Sequence, residues 1–343
     1  MIFPESLKKG DTIGVTAMSH PADKDTDKIR FRNGAAQLKK KGYNVIFTPN
    51  VFNDADRFGR SSSGRERAAQ FNALCADPSV KGIYSAGGGD FLAEMLRYVD
   101  TETFLKNPKW IQGYSDNTSI LFYLTTKCDV ATAYGANFGD FGMEPWHLSV
   151  SRGLEVLEGK CKIQDSFDKY QDGFGKRETG LEGYTADIPV NWKCITSADG
   201  KCEFTGRLIG GCLDVLLNIA GTPYDGACEF IEKYKDDGII WYMESFALQF
   251  ENMMEGLWKL KEMGWFRYTK GIIFGRQLFY NNEAYDGTPL PSYEDVLKER
   301  LSELKVPVIT GADIGHRGPQ FVTVNGAMAR VSCEDGSGSM EYI

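Results

Sequence analysis

The sequence predicts a two-domain α/β protein, and three observations support this prediction. The chain has 343 residues, which exceeds a usual domain of about 150 residues. Its first half alternates short β-branched or aromatic segments with longer amphipathic segments, a rhythm typical of parallel strands joined by helices. Its composition, 42% hydrophobic and 25% charged, is that of an ordinary globular protein.

The N-terminal domain is predicted to span residues 1–148. Because helical segments alternate with strands there, we expect a parallel sheet with helices on both faces, in the layers of a flavodoxin-like fold. The predicted strands are 12–16, 44–48, 82–85 and 110–113, and the predicted helices are 25–41, 64–76, 91–98 and 117–127.

Residues 149–203 have mixed polar and aromatic sequence and are predicted to form a connector. A smaller C-terminal α/β domain is expected over residues 204–343. Its last strands, 321–324 and 327–331, flank Asn325-Gly326, which suits a two-residue turn, so the domain should end in a β-hairpin. The other predicted strands are 239–243, 272–274 and 308–309, and the predicted helices are 212–220, 251–263 and 293–304.

Charge, hydropathy and cysteine content exclude several classes of protein. A net charge of -8 argues against a nucleic-acid-binding protein. No segment approaches the roughly 18 apolar residues of a membrane-spanning helix, and the first residues lack the features of a secretory signal. The eight cysteines form no Cys-x-x-Cys pair. We therefore expect a cytoplasmic protein with reduced thiols and with no membrane partner.

The segment Gly113-Tyr114-Ser115-Asp116-Asn117 places a serine at a predicted strand-to-helix turn, where a nucleophile can project clear of a sheet. The helix behind it offers N–H groups to an oxyanion, and the Asp116 N–H is the nearest donor. However, the usual elbow has glycine where Asn117 stands. On spacing alone, a helix-capping role for Ser115 is therefore favoured.

The glycine run Gly87-Gly88-Gly89 follows a strand and precedes a helix, so its backbone could supply a second oxyanion donor. A tight turn is the simpler interpretation. Its spacing does not match the dinucleotide-binding pattern Gly-x-Gly-x-x-Gly, so no nucleotide cofactor is predicted.

The chain has three histidines that could act as a general base. His316 is favoured because it lies in a Gly/Pro-flanked loop after a strand, where functional residues are common. His20 is a second choice, and His147, beside Pro145 and Trp146, is expected to be structural. No His-Glu-x-x-His pair is present, so no metal site is predicted.

Glu244 is the candidate acid that would orient the histidine, because it ends an apolar strand at the sheet edge where ligands gather. An ordinary exposed carboxylate remains the simpler interpretation of its position. Asp313 and Asp140 are rival acids.

Taken together, these segments resemble the LD-carboxypeptidase family of serine peptidases, which includes murein tetrapeptide carboxypeptidases and microcin C self-immunity proteins. The resemblance spans most of the chain. The segments that carry it are Gly10-Asp11-Thr12-Ile13-Gly14-Val15, Arg65-Glu66-Arg67-Ala68, the glycine run, Gly113-Tyr114-Ser115-Asp116, Gly210-Gly211, Gly221-Thr222-Pro223, Glu244, Gly275-Arg276 and Asp313-Ile314-Gly315-His316.

The resemblance implies a Ser-Glu-His triad of Ser115, Glu244 and His316 that cleaves a peptide or amide bond without metal or other cofactor. It implies oxyanion donors at Asp116 and at Gly88 or Gly89. It also implies a homodimer whose N-terminal domain supplies the nucleophile and whose C-terminal domain supplies the acid and base.

The substrate remains open between two branches of the family. Many murein enzymes have arginine before the paired glycines, whereas this chain has Gly87, and Asp90-Phe91 follow. Trp192 resembles a tryptophan that stacks on a nucleobase in the self-immunity branch, although it could equally be a core residue. The substrate is therefore expected to be a murein peptide with an L-to-D bond or a peptidyl-nucleotide.

Two further alternatives stay open. Cys128 or Cys212 could be the nucleophile of a different hydrolase, although neither lies at an elbow. The chain could also be a ligand-binding protein that has kept the fold without turnover.

Overall fold

The computed structural model describes residues 1–343, which group into two compact units. The N-terminal unit comprises Met1–Cys161, Gly175–Thr185 and Phe321–Gly326. The C-terminal unit comprises Lys162–Phe174, Ala186–Gln320 and Ala327–Ile343. The chain thus passes between the units several times, whereas the sequence suggested three consecutive segments.

The strands and helices follow the predicted alternation along most of the chain. The strands are β1 (Thr12–Thr16), β2 (Asn44–Phe47), β3 (Val80–Ser85), β4 (Trp110–Gly113), β5 (Thr132–Tyr134), β6 (Ile163–Asp165), β7 (Lys169–Tyr170), β8 (Ile188–Pro189), β9 (Lys193–Cys194), β10 (Cys202–Cys212), β11 (Ile239–Glu244), β12 (Thr269–Gly275), β13 (Val308–Ala312), β14 (Thr323–Asn325), β15 (Met328–Glu334) and β16 (Ser337–Tyr342). The helices are α1 (Asp25–Lys41), α2 (Gly64–Ala76), α3 (Thr101–Lys106), α4 (Thr118–Cys128), α5 (Leu148–Leu157), α6 (Leu213–Ile219), α7 (Ala227–Lys233), α8 (Phe250–Glu262) and α9 (Tyr293–Leu301). None of the helices combines the length and the apolar character that a membrane span requires.

The N-terminal unit contains a six-stranded sheet in the order β14-β5-β4-β3-β1-β2. Strands β1 to β5 are parallel, and only β14 runs antiparallel to its neighbour. The central strands β1 and β3 are buried along almost their whole length, as expected for a sheet covered on both faces. The predicted α/β fold class is confirmed.

The C-terminal unit contains an eight-stranded mixed sheet in the order β6-β16-β15-β10-β11-β12-β13-β9. Its four strands β10 to β13 are parallel, and the strands on both sides of them are antiparallel. This arrangement places the carboxyl ends of β11 and β13, and therefore the loops that follow them, at one edge of the sheet.

The C-terminal hairpin is not the one that the sequence predicted. Strand β14 pairs with β5 in the N-terminal unit, whereas β15 pairs with β10 and β16 in the C-terminal unit. Asn325-Gly326 therefore separates strands of different sheets. The hairpin that ends the chain is β15–β16, which turns at Asp335-Gly336.

The predicted connector, residues 149–203, has more structure than its sequence suggested. It contains most of α5, whose buried face includes Val150, Leu154 and Leu157. Strands β6 and β9 join the C-terminal sheet. Residues 175–185 pack on α1, where the Arg30 guanidinium donates to the carbonyl oxygens of Gly180 and Glu182.

Two local elements also differ from prediction. Residues Leu92–Tyr98 form a 3-10 helix rather than an α-helix, and α3 was not predicted. Asp100 is the N-cap of α3, and its side chain accepts a hydrogen bond from the Thr103 N–H. Such side-chain caps make short helices possible where apolar periodicity is too brief to be recognised.

Candidate active site

Ser115 lies directly after Tyr114, which follows β4, and adopts a left-handed backbone conformation with φ of 64°. Non-glycine residues rarely adopt this conformation, and such residues are enriched at functional sites. Ser115 begins a 3-10 turn, and the N-cap position of α4 is occupied by Asn117, with no side-chain capping hydrogen bond. The helix-capping interpretation of Ser115 is therefore wrong.

The predicted oxyanion glycines lie close to this turn. A Cβ atom added to Gly88 would lie 3.0 Å from the Ser115 Oγ. At Gly89, φ is 147° and an added Cβ would lie 2.3 Å from the Ser19 Oγ. Gly89 therefore requires glycine, whereas a side chain at Gly88 would crowd the Ser115 side chain without straining the backbone.

Asn117 occupies the position at which the usual nucleophile elbow has glycine. Its side chain connects the serine turn to the glycine run. Its Nδ2 donates to the Gly87 carbonyl at 3.0 Å and to the Tyr114 carbonyl at 2.9 Å. An added Cβ at Gly113 would lie 2.8 Å from the Asn117 Cγ. The asparagine thus fixes the turn by hydrogen bonds.

The Asp116 carboxylate connects the serine turn to the loop after β1 and to the segment that follows the glycine run. It accepts hydrogen bonds from the Ser19 Oγ at 2.5 Å and from the Leu92 N–H at 2.8 Å. Burial raises the pKa of Asp116, while these two donors lower it. Arg67 is fully buried and donates to the carbonyl oxygens of Met18 and Phe91. It thereby holds the loop after β1 beside the segment that follows the glycine run.

Glu244 and His316 form a buried pair in the C-terminal unit. The His316 Nδ1 lies 2.8 Å from the Glu244 Oε2. Because an ionised carboxylate only accepts hydrogen bonds, Nδ1 carries the proton and Nε2 is left as an acceptor. This is the tautomer that a general base requires. The interpretation of Glu244 as an exposed carboxylate is wrong, since its side chain is 0% exposed.

Gly315 and two aromatic rings pack closely around this pair. Gly315 has φ of 97°, and a Cβ there would lie 2.5 Å from the Glu244 Oε2. The Phe246 ring packs on the imidazole with centroids 4.7 Å apart, and Phe174 approaches it edge-on at 6.3 Å. Such packing restricts rotation of the imidazole and keeps Nδ1 on the carboxylate.

The loop that carries His316 is held by Arg276 at the end of β12. Its guanidinium pairs with Asp313 at 2.8 Å and donates to the carbonyl oxygens of Arg317 and Pro319 at 2.7 and 3.0 Å. The Tyr170 ring covers the guanidinium, 4.4 Å from centroid to Cζ. Asp313 is therefore a partner of Arg276 rather than of the histidine.

The other candidate bases and acids have structural partners. The His147 Nδ1 accepts from the Ser149 N–H at the start of α5, and burial lowers the pKa of this histidine. Asp140 accepts from the Tyr184 hydroxyl at 2.5 Å. His20 is partly buried, and its Nδ1 lies 2.7 Å from the Pro21 carbonyl oxygen.

Neither candidate cysteine nucleophile has an activated thiol. Cys128 ends α4, and burial raises its pKa to about 11. Cys212 is the register partner of Glu244 between β10 and β11. Burial and the neighbouring Glu244 raise the pKa of Cys212.

Trp192 lies in the core of the C-terminal unit, 1% exposed. Its Nε1 donates to the Asp313 Oδ2 at 2.9 Å, and its ring covers Gly338, where an added Cβ would lie 1.9 Å from the indole. The ring is thus packed against protein on the side that faces Gly338. This burial favours the core interpretation of Trp192 over stacking on a nucleobase.

No group of three or more His, Cys, Asp or Glu side chains is arranged to hold a metal ion. The described residues instead provide two sets of organic functional groups. The N-terminal unit carries Ser115 with the glycine run beside it, and the C-terminal unit carries the Glu244–His316 pair.

Comparison with known proteins identifies the family. The model of the LD-carboxypeptidase N-terminal domain matches residues 13–135, and that of the LD-carboxypeptidase C-terminal domain matches residues 205–331. The chain belongs to the LD-carboxypeptidase family. Family membership confirms the resemblance and indicates a carboxypeptidase-type hydrolase.

Individual relatives match over nearly the whole chain. A putative carboxypeptidase of Vibrio cholerae is 29% identical, covering 99% of this chain and 98% of the relative. The microcin C7 self-immunity protein MccF of Escherichia coli is 30% identical, covering 92% of this chain and 88% of its own. A solved structure of MccF in complex with glutamyl sulfamoyl guanosine is 26% identical with a TM-score of 0.80, covering 99% and 98% of the two chains.

Proposed function

We propose that this protein is a serine carboxypeptidase-type hydrolase in which Ser115 is the nucleophile, His316 the general base and Glu244 the acid that orients it. The observation that carries the proposal is the buried hydrogen bond of 2.8 Å between His316 and Glu244. His316 has a carboxylate on Nδ1, and in the neutral imidazole that carries this proton the basic nitrogen is Nε2. The strained backbone of Ser115 supports its role as nucleophile.

The proposed reaction passes through an acyl-enzyme. The Ser115 Oγ attacks the carbonyl carbon of the scissile amide as His316 Nε2 removes its proton. The negative charge that develops on the carbonyl oxygen is stabilised by N–H groups of Asp116 and of Gly88 or Gly89. His316 then protonates the leaving amine, and a water molecule activated by His316 hydrolyses the ester.

The hydrogen-bonded loops around Ser115 support the assignment of the oxyanion donors. Asn117 joins the serine turn to Gly87, and Asp116 joins it to Leu92, on the two sides of Gly88 and Gly89. These contacts fix the glycine backbone before substrate arrives. Preorganised donors of this kind stabilise charge without reorganisation during the reaction.

The first proposed substrate is a murein tetrapeptide cleaved at its L-to-D bond, which fits the activity in the family's name. The second is a peptidyl- or aminoacyl-nucleotide, which the 30% identity to MccF supports. The burial of Trp192 removes one argument for the second substrate, because a core ring is not free to stack on a base. We therefore favour the murein peptide.

Labelling with a fluorophosphonate tests the nucleophile. We expect one label per chain, which is lost in Ser115→Ala and retained in Ser302→Ala, a control at an exposed serine. Retention of the label in Ser115→Ala would place the nucleophile elsewhere. Substrate binding without label or turnover would instead favour a ligand-binding protein.

Glu244→Gln tests the acid. An amide can occupy the same space but does not stabilise the imidazolium, so kcat should fall by up to about 10⁴-fold while KM changes little. The control is Glu334→Gln at an exposed carboxylate. Equal kcat values for Glu244→Gln and the control would reject the assignment.

Parallel mass-spectrometric assays of a murein tetrapeptide and of an aminoacyl sulfamoyl nucleotide decide the substrate. Release of the terminal D-residue from the peptide alone would support the favoured substrate, and cleavage of the nucleotide alone would reject it.

We also propose a cytoplasmic homodimer, as the family resemblance implies. Light scattering in solution tests the dimer directly.

A further inference from the structure

Two cysteines face each other across the C-terminal sheet. Cys202, the first residue of β10, is the register partner of Cys333 near the end of β15. Directly opposite residues of an antiparallel pair have Cα atoms about 4.5 to 5.5 Å apart. A disulfide requires roughly 4.4 to 6.8 Å, so the backbone already lies within the range for a bond.

A third cysteine, Cys194 on β9, lies beside this pair. The Gly200 carbonyl accepts a hydrogen bond from the Cys194 N–H at 3.0 Å and one from the Cys333 Sγ at 3.6 Å. The turn from Ser197 to Gly200 thus brings the three thiols together although they are far apart in sequence. None of the three forms a disulfide in this structure.

The exposure of the three cysteines differs, and this gives an oxidant access to one of them. Cys333 and Cys194 are buried, whereas Cys202 is partly exposed at the end of the turn. A small oxidant can therefore reach the pair from the Cys202 side.

We propose that Cys202 and Cys333 are a redox modification site that forms a reversible disulfide with a peroxide, while Cys194 stays reduced. Peroxide transfers one oxygen to the first sulfur, giving a sulfenic acid and water. The second sulfur attacks the first, the S–S bond forms and the sulfenic oxygen leaves as a second water. Two thiols lose two electrons and two protons, and one hydrogen peroxide is reduced to two waters.

The bond joins the first residue of β10 to the end of β15 and closes a long segment of the C-terminal unit. A cross-link of this kind restricts the unfolded chain and so favours the folded state. Neither cysteine belongs to the proposed catalytic set. The inference is therefore independent of the hydrolase proposal, and its failure would leave that proposal untouched.

The test treats the full-length protein with hydrogen peroxide, blocks remaining thiols with N-ethylmaleimide and maps the peptides by mass spectrometry without reduction. We expect a linked pair of peptides containing Cys202 and Cys333, lighter by two hydrogen atoms and separated by dithiothreitol. Cys194 should be alkylated only after denaturation. The oxidised chain should melt roughly 5 °C higher than the reduced chain.

Two variants control the experiment. Cys333→Ser should lose both the linked peptides and the rise in melting temperature, whereas Cys128→Ser, altered outside the cluster, should keep both. Peptide mapping of the unaltered protein tests for the Cys202–Cys333 disulfide even if Cys333→Ser does not fold. Alkylation of both Cys202 and Cys333 after peroxide, or a bond from Cys202 to Cys194, would overturn the proposal.

Discussion

The Arg276 guanidinium forms a buried ion pair with Asp313 at 2.8 Å, and its other arm donates to the carbonyl oxygens of Arg317 and Pro319. Arg276 thereby joins the end of β12 to both sides of the loop that contains His316. Both charges of the pair make further hydrogen bonds, so the ion pair fixes the loop without leaving either charge uncompensated.

Arg276→Met should lower the free energy of unfolding by about 3–5 kcal/mol, because it leaves the Asp313 carboxylate buried without its cation. Urea unfolding measures this loss. The matched control is Arg330→Met, which removes a surface pair with Glu341 and should cost about 0–1 kcal/mol. Similar losses in the two variants would show that the buried pair does not hold the loop.

The stability of Arg276→Met should depend more strongly on pH than that of the unaltered protein. Burial raises the pKa of Asp313, and Arg276 partly opposes that rise. Without Arg276 the folded-state pKa rises further above the unfolded value, so the folded protein binds more protons and loses stability as pH increases. The deficit of Arg276→Met should therefore grow from about pH 4 to pH 7 in urea unfolding curves. A deficit that is constant over this range would contradict the assignment.

Gly315→Ala should reduce activity through Glu244. The added methyl would lie 2.5 Å from the Glu244 Oε2 and displace the carboxylate from His316. We expect kcat to fall by about 10²-fold, since small displacements of a catalytic group are costly. Gly10→Ala is the control, because Gly10 has nearly the same φ, 98°, with nothing within 4 Å. The control should show only backbone strain, and a comparable loss of kcat there would refute the prediction.

Gly88→Ala should crowd the proposed nucleophile without straining the backbone. Its methyl would lie 3.0 Å from the Ser115 Oγ, and φ at this position is not in the left-handed region. Phosphonate labelling should slow by about 10²-fold while the melting temperature changes little. Gly183→Ala, at a position with open space, should label at the normal rate. Normal labelling of Gly88→Ala would show that the glycine run does not take part in the reaction at Ser115.

Trp192→Phe distinguishes a core role from a substrate-binding role. Loss of the indole volume and of the hydrogen bond to Asp313 should lower the free energy of unfolding by about 1–3 kcal/mol. KM for either proposed substrate should not change, since the ring is buried. A higher KM for the nucleotide substrate with unchanged stability would instead restore the stacking role.

The sequence by itself determined the elements whose signals are local. The bounds of β1, α1 and α2 were predicted correctly because β-branched runs and amphipathic patterns are local features of the sequence. The position of Ser115 after a strand and that of Glu244 at the end of β11 could be inferred for the same reason. The family resemblance joined these local features into one functional hypothesis.

Only the tertiary structure decided which distant segments share a sheet or a hydrogen bond. Asn325-Gly326 has the composition of a hairpin turn, yet β14 and β15 pair in different sheets because their pairing depends on strands more than a hundred residues away. Arg276 binds a loop about forty residues further along the chain, and Asn117 binds the glycine run about thirty residues before it. Local patterns report whether a segment is buried, whereas the partner that buries it is set by packing and hydrogen bonding across the whole unit.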